Sequence, residues 1–377
     1  MIAEGRRSVL LALLLLAGCT SNALRRHYLE AQAEDLPPPE RPVIVIPGFG
    51  STKLFDPATR RFVWGTPRSM VRRTHADDLD LPIDPFTFEI GEDRLIPRGF
   101  VGSRGFLNTS FQLERALVRY GGYSGESGVY TFEYDWRKSA LETARDLDAL
   151  VESIRQQRGG AQLQVDLITH SAGSLVALSY IHAHPESVRH AVLVAPPLDG
   201  TLEAFRVLAR GERIIRRTIP PKSAATFASL FELLPSEPFL IDERGGDVRV
   251  DWDRFCPNDA AGRAACDALR EQAQRVRELR RRPLPPGVQL HVVAGDCIAT
   301  PRRALLRRDG SLAFYPAELR PGEATLRSRM FEPGDGSITV SSALVLGVPS
   351  QLFCDGHHGI ASDPNVHRAL LRALSGR

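Results

Sequence analysis

Apolar segments typical of buried strands alternate with segments of helical periodicity over most of the chain. Continuous apolar runs rich in β-branched residues predict strands buried on both faces. Residues 43–46 and 191–195 are such runs, and strands are also predicted within residues 128–134, 164–168, 288–293 and 351–353. Apolar positions at helical spacing follow at residues 139–154 and 174–181, and Ser139 with Glu142 has the pattern of a capping box. Strands that alternate with helices predict a parallel sheet with helices on both faces.

Two stretches interrupt this alternation. Residues 52–110 are irregular and rich in turn residues, which indicates an insertion after the first strand. Residues 201–285 combine short apolar helices, basic stretches and a long charged helix, and we expect them to form a cap over the carboxyl-terminal edge of the sheet. The folded domain then spans residues 41–377. The arginine-rich stretches at 213–217 and 280–282 are expected to be solvated helix faces, with binding of lipid headgroups as the alternative.

The N-terminus has the pattern of a bacterial lipoprotein signal peptide over residues 1–18. Two arginines precede an apolar run, at residues 9–17, that is too short to span a bilayer. The run ends in Leu-Ala-Gly followed by Cys19, which resembles the lipobox in which the cysteine carries the lipid. Residues 19–40 end in a proline-rich stretch and are expected to be a tether. These features predict an exported protein that is lipid-anchored in the bacterial cell envelope, and Thr20 favours the outer membrane, facing the periplasm.

Composition narrows the range of partners. Apolar residues make up 43% of the chain and charged residues 25%, as in a globular protein with a sizeable core. The net charge of +3 is small for 377 residues and argues against nucleic acid as a partner. No motif in the sequence requires a metal ion or another cofactor. The membrane surface, reached through the N-terminal anchor, is therefore the partner that these properties favour.

Four cysteines remain when Cys19 is assigned to lipidation, and they are Cys256, Cys266, Cys297 and Cys354. Export to an oxidising compartment favours two disulfides among them. Cys297 and Cys354 each follow a predicted strand, and if these strands are neighbours in a parallel sheet, the two cysteines lie close enough to bond. We therefore expect the disulfides Cys297–Cys354 and Cys256–Cys266, with four buried free thiols as the alternative.

The sequence Thr-His-Ser-Ala-Gly at residues 169–173 lies between a predicted strand and a predicted helix. A serine on a sharp turn between strand and helix is the nucleophile elbow of α/β-hydrolases. The residues two positions before and after the serine must be small, so that strand and helix can pass closely. Gly173 meets this need, whereas Thr169 stands where glycine is usual. Ser171 is therefore the candidate nucleophile of an α/β-hydrolase fold, and the alternative is a plain loop.

A serine nucleophile requires a base and an acid, which follow it along the chain in α/β-hydrolases. His357 and His358 lie directly after the last predicted strand, and either can be the base by position alone. His367 lies on the closing helix and is expected at the surface. Asp335, in a glycine-flanked turn, and Asp296, at the end of an earlier strand, are both candidates for the acid. Position along the chain thus leaves two residues open for each role.

The exit from the first strand has the composition of an oxyanion hole. In Pro-Gly-Phe-Gly, Gly48 and Gly50 allow the backbone to turn its N–H groups inward, and Phe49 is the expected donor. Ala172, directly after the nucleophile, supplies the second N–H. One such donor lowers the barrier by about 3 kcal/mol. The alternative for this segment is an ordinary turn.

Several segments in combination resemble the lecithin:cholesterol acyltransferase family. They are residues 47–54, 62–65, 132–137, 169–173, 231–235 and 334–338, with His357 ahead of residues 362–364. The resemblance spans about residues 42–366, and its most specific parts are the sequences Tyr-Asp-Trp-Arg and Gly-Asp-Gly. It implies an α/β-hydrolase with a mostly parallel sheet, in which the insertion and the cap help to bind lipid.

The resemblance also implies roles for single residues. It implies Ser171, Asp335 and His357 as a catalytic triad, and it favours His357 over His358 because Ile360 and Pro364 stand at the family's spacing from His357. The chain departs from the family at Ser337, where threonine is usual, and in the doublet of His357 and His358. The resemblance further implies that Trp136 lies near the active site, either as a structural residue or against an acyl chain.

The activity expected from these features is that of a serine-dependent lipid acyltransferase or acylhydrolase. Such an enzyme cleaves ester-linked acyl chains of a phospholipid or related lipid through an acyl-enzyme, and an alcohol or water then takes the acyl group. Two alternatives remain open. One is a plain lipase or carboxylesterase with water as its sole acceptor, and the other is a catalytically inactive envelope lipoprotein on the same fold.

Overall fold

The computed structural model describes residues 39–71, 76–82, 93–101, 109–124, 128–158, 160, 162–214, 216–236, 238–256 and 259–376. The predicted signal peptide, Cys19 and nearly all of the predicted tether lie outside these residues. In the described part of the chain, no helix is both long and apolar enough to cross a membrane.

Strands and helices alternate along much of the chain. In chain order, the strands are β1 (Val43–Ile46), β2 (Thr52–Asp56), β3 (Arg61–Trp64), β4 (Ile96–Phe100), β5 (Val129–Thr131), β6 (Val165–His170), β7 (Val188–Val194), β8 (Glu212–Ile214), β9 (Arg217–Ile219), β10 (Leu240–Ile241), β11 (Asp247–Val248), β12 (Gln289–Gly295), β13 (Ile298–Pro301), β14 (Ala304–Leu306), β15 (Leu312–Ala313), β16 (Phe331–Gly334) and β17 (Ser350–Phe353). The helices are α1 (Pro67–Val71), α2 (Thr109–Tyr120), α3 (Ala140–Arg158), α4 (Gly173–Ala183), α5 (Leu202–Arg210), α6 (Pro221–Ala224), α7 (Ala228–Glu232), α8 (Ala260–Arg280), α9 (Arg327–Met330), α10 (Val340–Ala343) and α11 (Pro364–Leu374). Short 3₁₀ segments occur at Ala76–Leu79, Pro185–Ser187, Trp252–Arg254, Pro316–Glu318, Pro321–Leu326 and Ile360–Ser362.

A central parallel sheet organises the fold, as the apolar pattern predicts. Within the described residues it has six strands in the order β17-β12-β7-β6-β1-β5, and every pairing between them is parallel. β1 and β6 are buried along their whole length, because helices cover both faces of the sheet. α4 follows β6 and is apolar nearly all round, which fits a helix enclosed by its neighbours.

The sheet brings its loops together at one edge. Because the strands are parallel, the segments after β1, β6, β12 and β17 all leave from the same side. These segments hold residues 47–51, Ser171, Cys297 and His357 respectively. Cys297 and Cys354 form a disulfide across the ends of β12 and β17, and Cys256 bonds to Cys266, so the structure contains both expected disulfides.

The insertion after β1 and the cap are more regular than their sequences indicate. Within the insertion, β2 pairs with both β3 and β4 to form a small antiparallel sheet. A second small sheet, of order β11-β10-β14-β15, joins strands from the segment 201–285 to strands that follow β12. α8, from the same segment, packs against α4 and α7. The segment 201–285 therefore shares a small sheet with strands that follow β12. Its helix α8 also packs on α4, which covers one face of the central sheet.

Three side chains that were expected at the surface are buried. His367 is buried, because α11 turns this position toward the 3₁₀ segment before it, where the ring bonds to the Ala361 carbonyl at 2.8 Å. In the arginine-rich stretches, Arg217 and Arg280 are 2% and 1% exposed, and β8 and β9 pair as a hairpin instead of forming a helix, whereas the other described arginines of these stretches are exposed as expected. Packing thus draws side chains inward that the local sequence gives no reason to bury.

Candidate active site

The nucleophile elbow forms around Ser171. Its φ of 52° lies in the left-handed region that non-glycine residues rarely adopt. A Cβ at Gly173 would lie 2.5 Å from the Pro47 carbonyl oxygen, so only glycine allows the helix to pass so close to the end of β1. Thr169 is buried, and its hydroxyl lies 2.6 Å from that of Ser174. This hydrogen bond explains how threonine is accommodated where glycine is usual.

The structure brings Ser171, His357 and Asp335 into one hydrogen-bonded chain. The Ser171 Oγ lies 2.9 Å from Nε2 of His357, and Nδ1 of the same ring lies 2.8 Å from Oδ2 of Asp335. A neutral ring that donates from Nδ1 to the carboxylate leaves Nε2 free to accept the serine proton. This geometry can activate a hydroxyl group as a nucleophile.

The chain leaves the site after β12 and returns to it with Asp335, which follows β16. Asp335 stands 39 positions after Asp296, and antiparallel pairing of β13 with β16 returns the chain to the end of β12. Its Oδ1 accepts hydrogen bonds from the N–H groups of Ser337 and Ile338, at 2.8 and 2.6 Å. Burial raises the pKa of Asp335, but the His357 ring and these N–H groups outweigh that effect and hold the pKa below its ordinary value. The carboxylate is thus kept ionised.

Asp296 and His358, the other candidates for the acid and the base, lie outside the hydrogen-bonded chain of Ser171, His357 and Asp335. The backbone N–H of Asp296 donates to the Phe353 carbonyl, and it is Asp335, not Asp296, that contacts the His357 ring. The ring centroid of His358 lies 5.3 Å from that of His357, and Ser171 bonds to His357. Burial, with a contribution from His357, lowers the pKa of His358 to about 4. The geometry therefore joins only one member of each pair to the serine.

The expected oxyanion donors are the N–H of Ala172, directly after the nucleophile, and the N–H of Phe49, in the loop after β1. Within the described residues, the N–H groups of Phe49 and Ala172 donate no hydrogen bond to the protein. A Cβ at Gly48 would lie 3.0 Å from the Ser171 Cβ, which shows how closely the loop after β1 approaches the serine. Two unengaged backbone donors beside a serine hydroxyl are the requirement for stabilising a carbonyl oxygen that becomes negative.

His170 is a site residue that the sequence reasoning missed. Its Nε2–H donates to the backbone carbonyl of His357 at 2.9 Å, and the two rings lie 4.9 Å apart. Burial, reinforced by the nearby His357, lowers the pKa of His170 to about 3, so the ring is neutral near pH 7. The only feature of the sequence that points to a role for His170 is its position directly before the nucleophile.

Trp136 and Arg137 are both enclosed by protein. The Trp136 ring contacts the rings of Phe49, Trp64 and Phe227. The Arg137 guanidinium is buried between the carboxylates of Asp135 and Asp93. Trp136 is 1% exposed, so its ring packs in the interior behind Phe49.

The fold and the serine, histidine and aspartate geometry define the class. The chain has the α/β-hydrolase fold, with the arrangement of side chains found in serine hydrolases of that fold. Residues 136–278 match the family model described as serine aminopeptidase, S33, which is less than half of the chain. The crystal structure of the Tle4–Tli4 complex has a TM-score of 0.60 at 16% identity, covering 89% of this chain and 98% of that one. This likeness shows the fold.

The chain is similar in sequence to lysosomal phospholipase A and acyltransferase. The protein of Homo sapiens is 26% identical over 248 residues, which are 61% of this chain and 55% of the human one. The protein of Rattus norvegicus is 24% identical over 253 residues, which are 62% and 56% of the two chains. The chain therefore spans about half the length of the curated relatives it matches.

Proposed function

We propose that this protein is a serine-dependent lipid acyltransferase or acylhydrolase that acts on ester-linked acyl chains of a phospholipid or related lipid. The observation that carries the proposal is the hydrogen-bonded chain from Ser171 through His357 to Asp335. The unengaged N–H groups of Phe49 and Ala172 supply the remaining requirement of acyl transfer.

Acylation begins when the Ser171 Oγ bonds to the ester carbonyl carbon while His357 Nε2 takes its proton. The carbonyl double bond becomes a C–O⁻ single bond, to which Phe49 and Ala172 donate. Asp335 stabilises the imidazolium through Nδ1. When the tetrahedral intermediate collapses, the bond to the leaving alcohol breaks and His357 returns the proton to that oxygen. The acyl group then remains on Ser171.

Deacylation repeats these steps with a new acceptor. His357 removes a proton from water or an alcohol as its oxygen bonds to the acyl carbon, and the same N–H groups stabilise the second tetrahedral intermediate. Collapse breaks the bond to Ser171, which regains its proton from His357. Water yields a free fatty acid, and an alcohol yields a new ester.

Sequence similarity, and not the geometry of the site, supports a lipid as the substrate. The relatives at 24–26% identity are named phospholipase A and acyltransferase. The segments that resemble the lecithin:cholesterol acyltransferase family include parts of the insertion after β1 and of the cap. We therefore infer that these two regions bind acyl chains, and that lipid on Cys19 holds the enzyme at the membrane where such substrates lie.

Replacement of the nucleophile tests the proposal. Ser171→Ala should abolish ester cleavage and labelling by a fluorophosphonate probe, since losing the nucleophile of a triad costs on the order of 10⁶ in kcat. Ser179→Ala is the matched control, because in the part of the chain that the structure describes this hydroxyl donates to the Leu175 carbonyl within α4 and to no other group. If Ser171→Ala keeps a tenth of wild-type activity, the nucleophile is another residue.

A lipid panel with and without an added alcohol distinguishes the alternatives. Formation of a new ester in the presence of alcohol supports acyl transfer. Fatty acid as the sole product, whatever alcohol is present, indicates a lipase or carboxylesterase that uses only water. Absence of both labelling and turnover in the wild-type chain indicates a catalytically inactive lipoprotein on this fold.

A further inference from the structure

Three buried aromatic side chains hold the segment that carries Phe49. We call residues 47–52, between the end of β1 and the start of β2, the oxyanion segment. The Tyr134 hydroxyl donates to the Pro47 carbonyl at 2.8 Å, Trp64 Nε1 donates to the Gly50 carbonyl at 2.7 Å, and Trp136 Nε1 donates to the Thr52 carbonyl at 3.0 Å. These hydrogen bonds are distributed along the whole length of the segment.

The three donors are fixed in the protein interior. Tyr134, Trp64 and Trp136 are 4%, 0% and 1% exposed. The ring centroids of Trp64 and Trp136 lie 5.0 Å apart, and that of Trp136 lies 4.5 Å from the Phe49 ring. Burial, and secondarily the Asp135 charge, raise the pKa of Tyr134 well above its ordinary value, so the hydroxyl keeps the proton that it donates. Each hydrogen bond therefore has little freedom to rearrange.

The backbone completes this arrangement. The Gly48 carbonyl accepts from the Ser51 N–H at 3.2 Å, and the Ser51 carbonyl accepts from the Val101 N–H at 2.8 Å. Gly48 C=O and Phe49 N–H belong to one planar peptide unit and point in opposite directions. Tyr134 holds the peptide unit directly before this one, and Trp64 holds the second unit after it. The direction of the Phe49 N–H is thus set before any substrate arrives.

We propose that Tyr134, Trp64 and Trp136 are positioning residues that aim the Phe49 N–H at the oxyanion. The inference rests on the proposed function. It adds that these three side chains fix the direction of the Phe49 N–H before substrate binds. An oxyanion hole is effective because its donors need no reorientation during the reaction. Trp64 lies on β3, so the insertion after β1 contributes to the chemistry by holding the oxyanion segment.

Removal of each donor with an aromatic ring retained tests the proposal. Tyr134→Phe, Trp64→Phe and Trp136→Phe are measured in the full chain with p-nitrophenyl butyrate, and kcat is expressed per site titrated with a fluorophosphonate. Each variant should lose roughly 10- to 100-fold in kcat, since a small misplacement of a catalytic group costs up to about that factor. KM should change less than about twofold, because the ground-state ester does not depend on this donor.

An alkyl boronic acid adds a readout that a purely structural role does not move. Its adduct with serine places a tetrahedral oxygen in the oxyanion hole, so its affinity should fall by the same factor as kcat. Tyr180→Phe is the matched control, because this buried hydroxyl faces Asp148, away from the oxyanion segment. It should retain wild-type kcat and boronate affinity.

The outcomes separate this inference from the proposed function. If the wild-type chain cleaves esters while all three variants keep kcat per titrated site and boronate affinity, the positioning role is wrong. A rise in KM with constant kcat likewise overturns it. Should the tryptophan variants fail to fold, benzothienylalanine at position 64 or 136 removes the N–H and keeps the shape, and the same losses are expected. An inactive wild-type chain refutes the proposed function itself.

Discussion

The two neighbouring histidines after β17 show how strongly the environment of a residue determines what it can do. His357 lies between Ser171 and Asp335 and bonds to both. His358 is one position further, and burial lowers its pKa to about 4, so it is neutral near pH 7. A carboxylate partner that fixes the tautomer is what a general base requires, and only His357 has Asp335 at its Nδ1 in the described structure.

We therefore predict that His357→Ala is about as damaging as Ser171→Ala, on the order of 10⁶ in kcat, because members of a triad act as a unit. His358→Ala should change kcat by less than about tenfold, since this ring does not contact the reacting atoms. Steady-state kinetics on a soluble ester, corrected for folded protein by thermal unfolding, checks both values. If His358→Ala proves the more damaging change, the base is His358.

Residue identities at this site were only partly predictable. Ser171 and Gly173 carry a local sequence signal, because a sharp turn between strand and helix limits which residues fit. The bond from His170 to the His357 carbonyl joins residues 187 positions apart, and no local pattern encodes it. The same holds for the aromatic donors to the oxyanion segment. Trp136 was expected near the site, but its hydrogen bond could not be foreseen.

Among the helices, α3 begins in a way that its own sequence does not predict. The capping box of Ser139 and Glu142 does not form, because Glu142 pairs with Lys138 at 2.8 Å. Instead, Glu232 at the end of α7 accepts hydrogen bonds from the Ser139 hydroxyl and from the Ala140 N–H, the latter at 2.8 Å. A carboxylate from a distant helix thus adds to the local cap, in which the Ser139 hydroxyl accepts from the Leu141 N–H at 3.2 Å, and it ties α7 to α3.

This buried cap should make stability depend on pH. Burial raises the pKa of Glu232 to about 7, and its hydrogen bonds and the nearby Arg280 offset only part of that effect. Because the folded pKa exceeds the ordinary value, the contribution to stability is complete below about pH 4.5 and is lost as the pH rises through about 7. The difference corresponds to on the order of 3 kcal/mol.

Urea unfolding of the wild-type chain and Glu232→Gln at pH 5 and pH 8 measures this contribution. The wild-type chain should lose more stability between the two pH values than Glu232→Gln, which keeps a polar partner for Ala140 but does not titrate. Glu271→Gln on the exposed face of α8 is the control and should match the wild-type pH dependence. Equal pH dependence in all three chains would contradict the prediction.

Other elements escaped prediction because they are short and pair over long distances. β13 and β16 have four residues each, yet their pairing returns Asp335 to the end of β12. β2, β3 and β4 lie in a stretch that its turn residues marked as irregular. A strand of four or five residues gives little periodic signal, so its existence depends on a partner that the local sequence does not reveal.

At the scale of the whole molecule, the turn that carries Ser171 identified the α/β-hydrolase fold, and the alternation of buried strands and helices predicted its parallel sheet. It also predicted the edge at which the site lies, since parallel strands release their loops on the same side. The disulfide between Cys297 and Cys354 was expected on the condition that β12 and β17 are neighbours, and the structure shows both the pairing of these strands and the disulfide. The small sheet that unites β10 with β14 could not be predicted, because its register involves residues more than 60 positions apart.

The N-terminal segment raises the remaining question for the whole molecule, namely what brings it to a lipid substrate. Cys19 follows Leu-Ala-Gly after an apolar run too short to span a bilayer, and these residues lie outside the described structure. We predict that Cys19→Ser moves the protein from the membrane fraction to the soluble fraction, because the lipid supplies the attachment. Ser21→Ala, two positions away, leaves the cysteine in place and should stay with the membrane.

Fractionation of the expressing cells, followed by mass spectrometry of the N-terminal peptide, measures both location and lipid. Wild type and Ser21→Ala should carry acyl groups on the cysteine, resist extraction by high salt and be released by detergent. Cys19→Ser should lack the acyl groups and keep its activity on a soluble ester, since the site lies in the folded domain, while its activity on vesicles falls. Membrane retention of an unlipidated Cys19→Ser chain would instead make the apolar surfaces of the insertion and the cap the attachment.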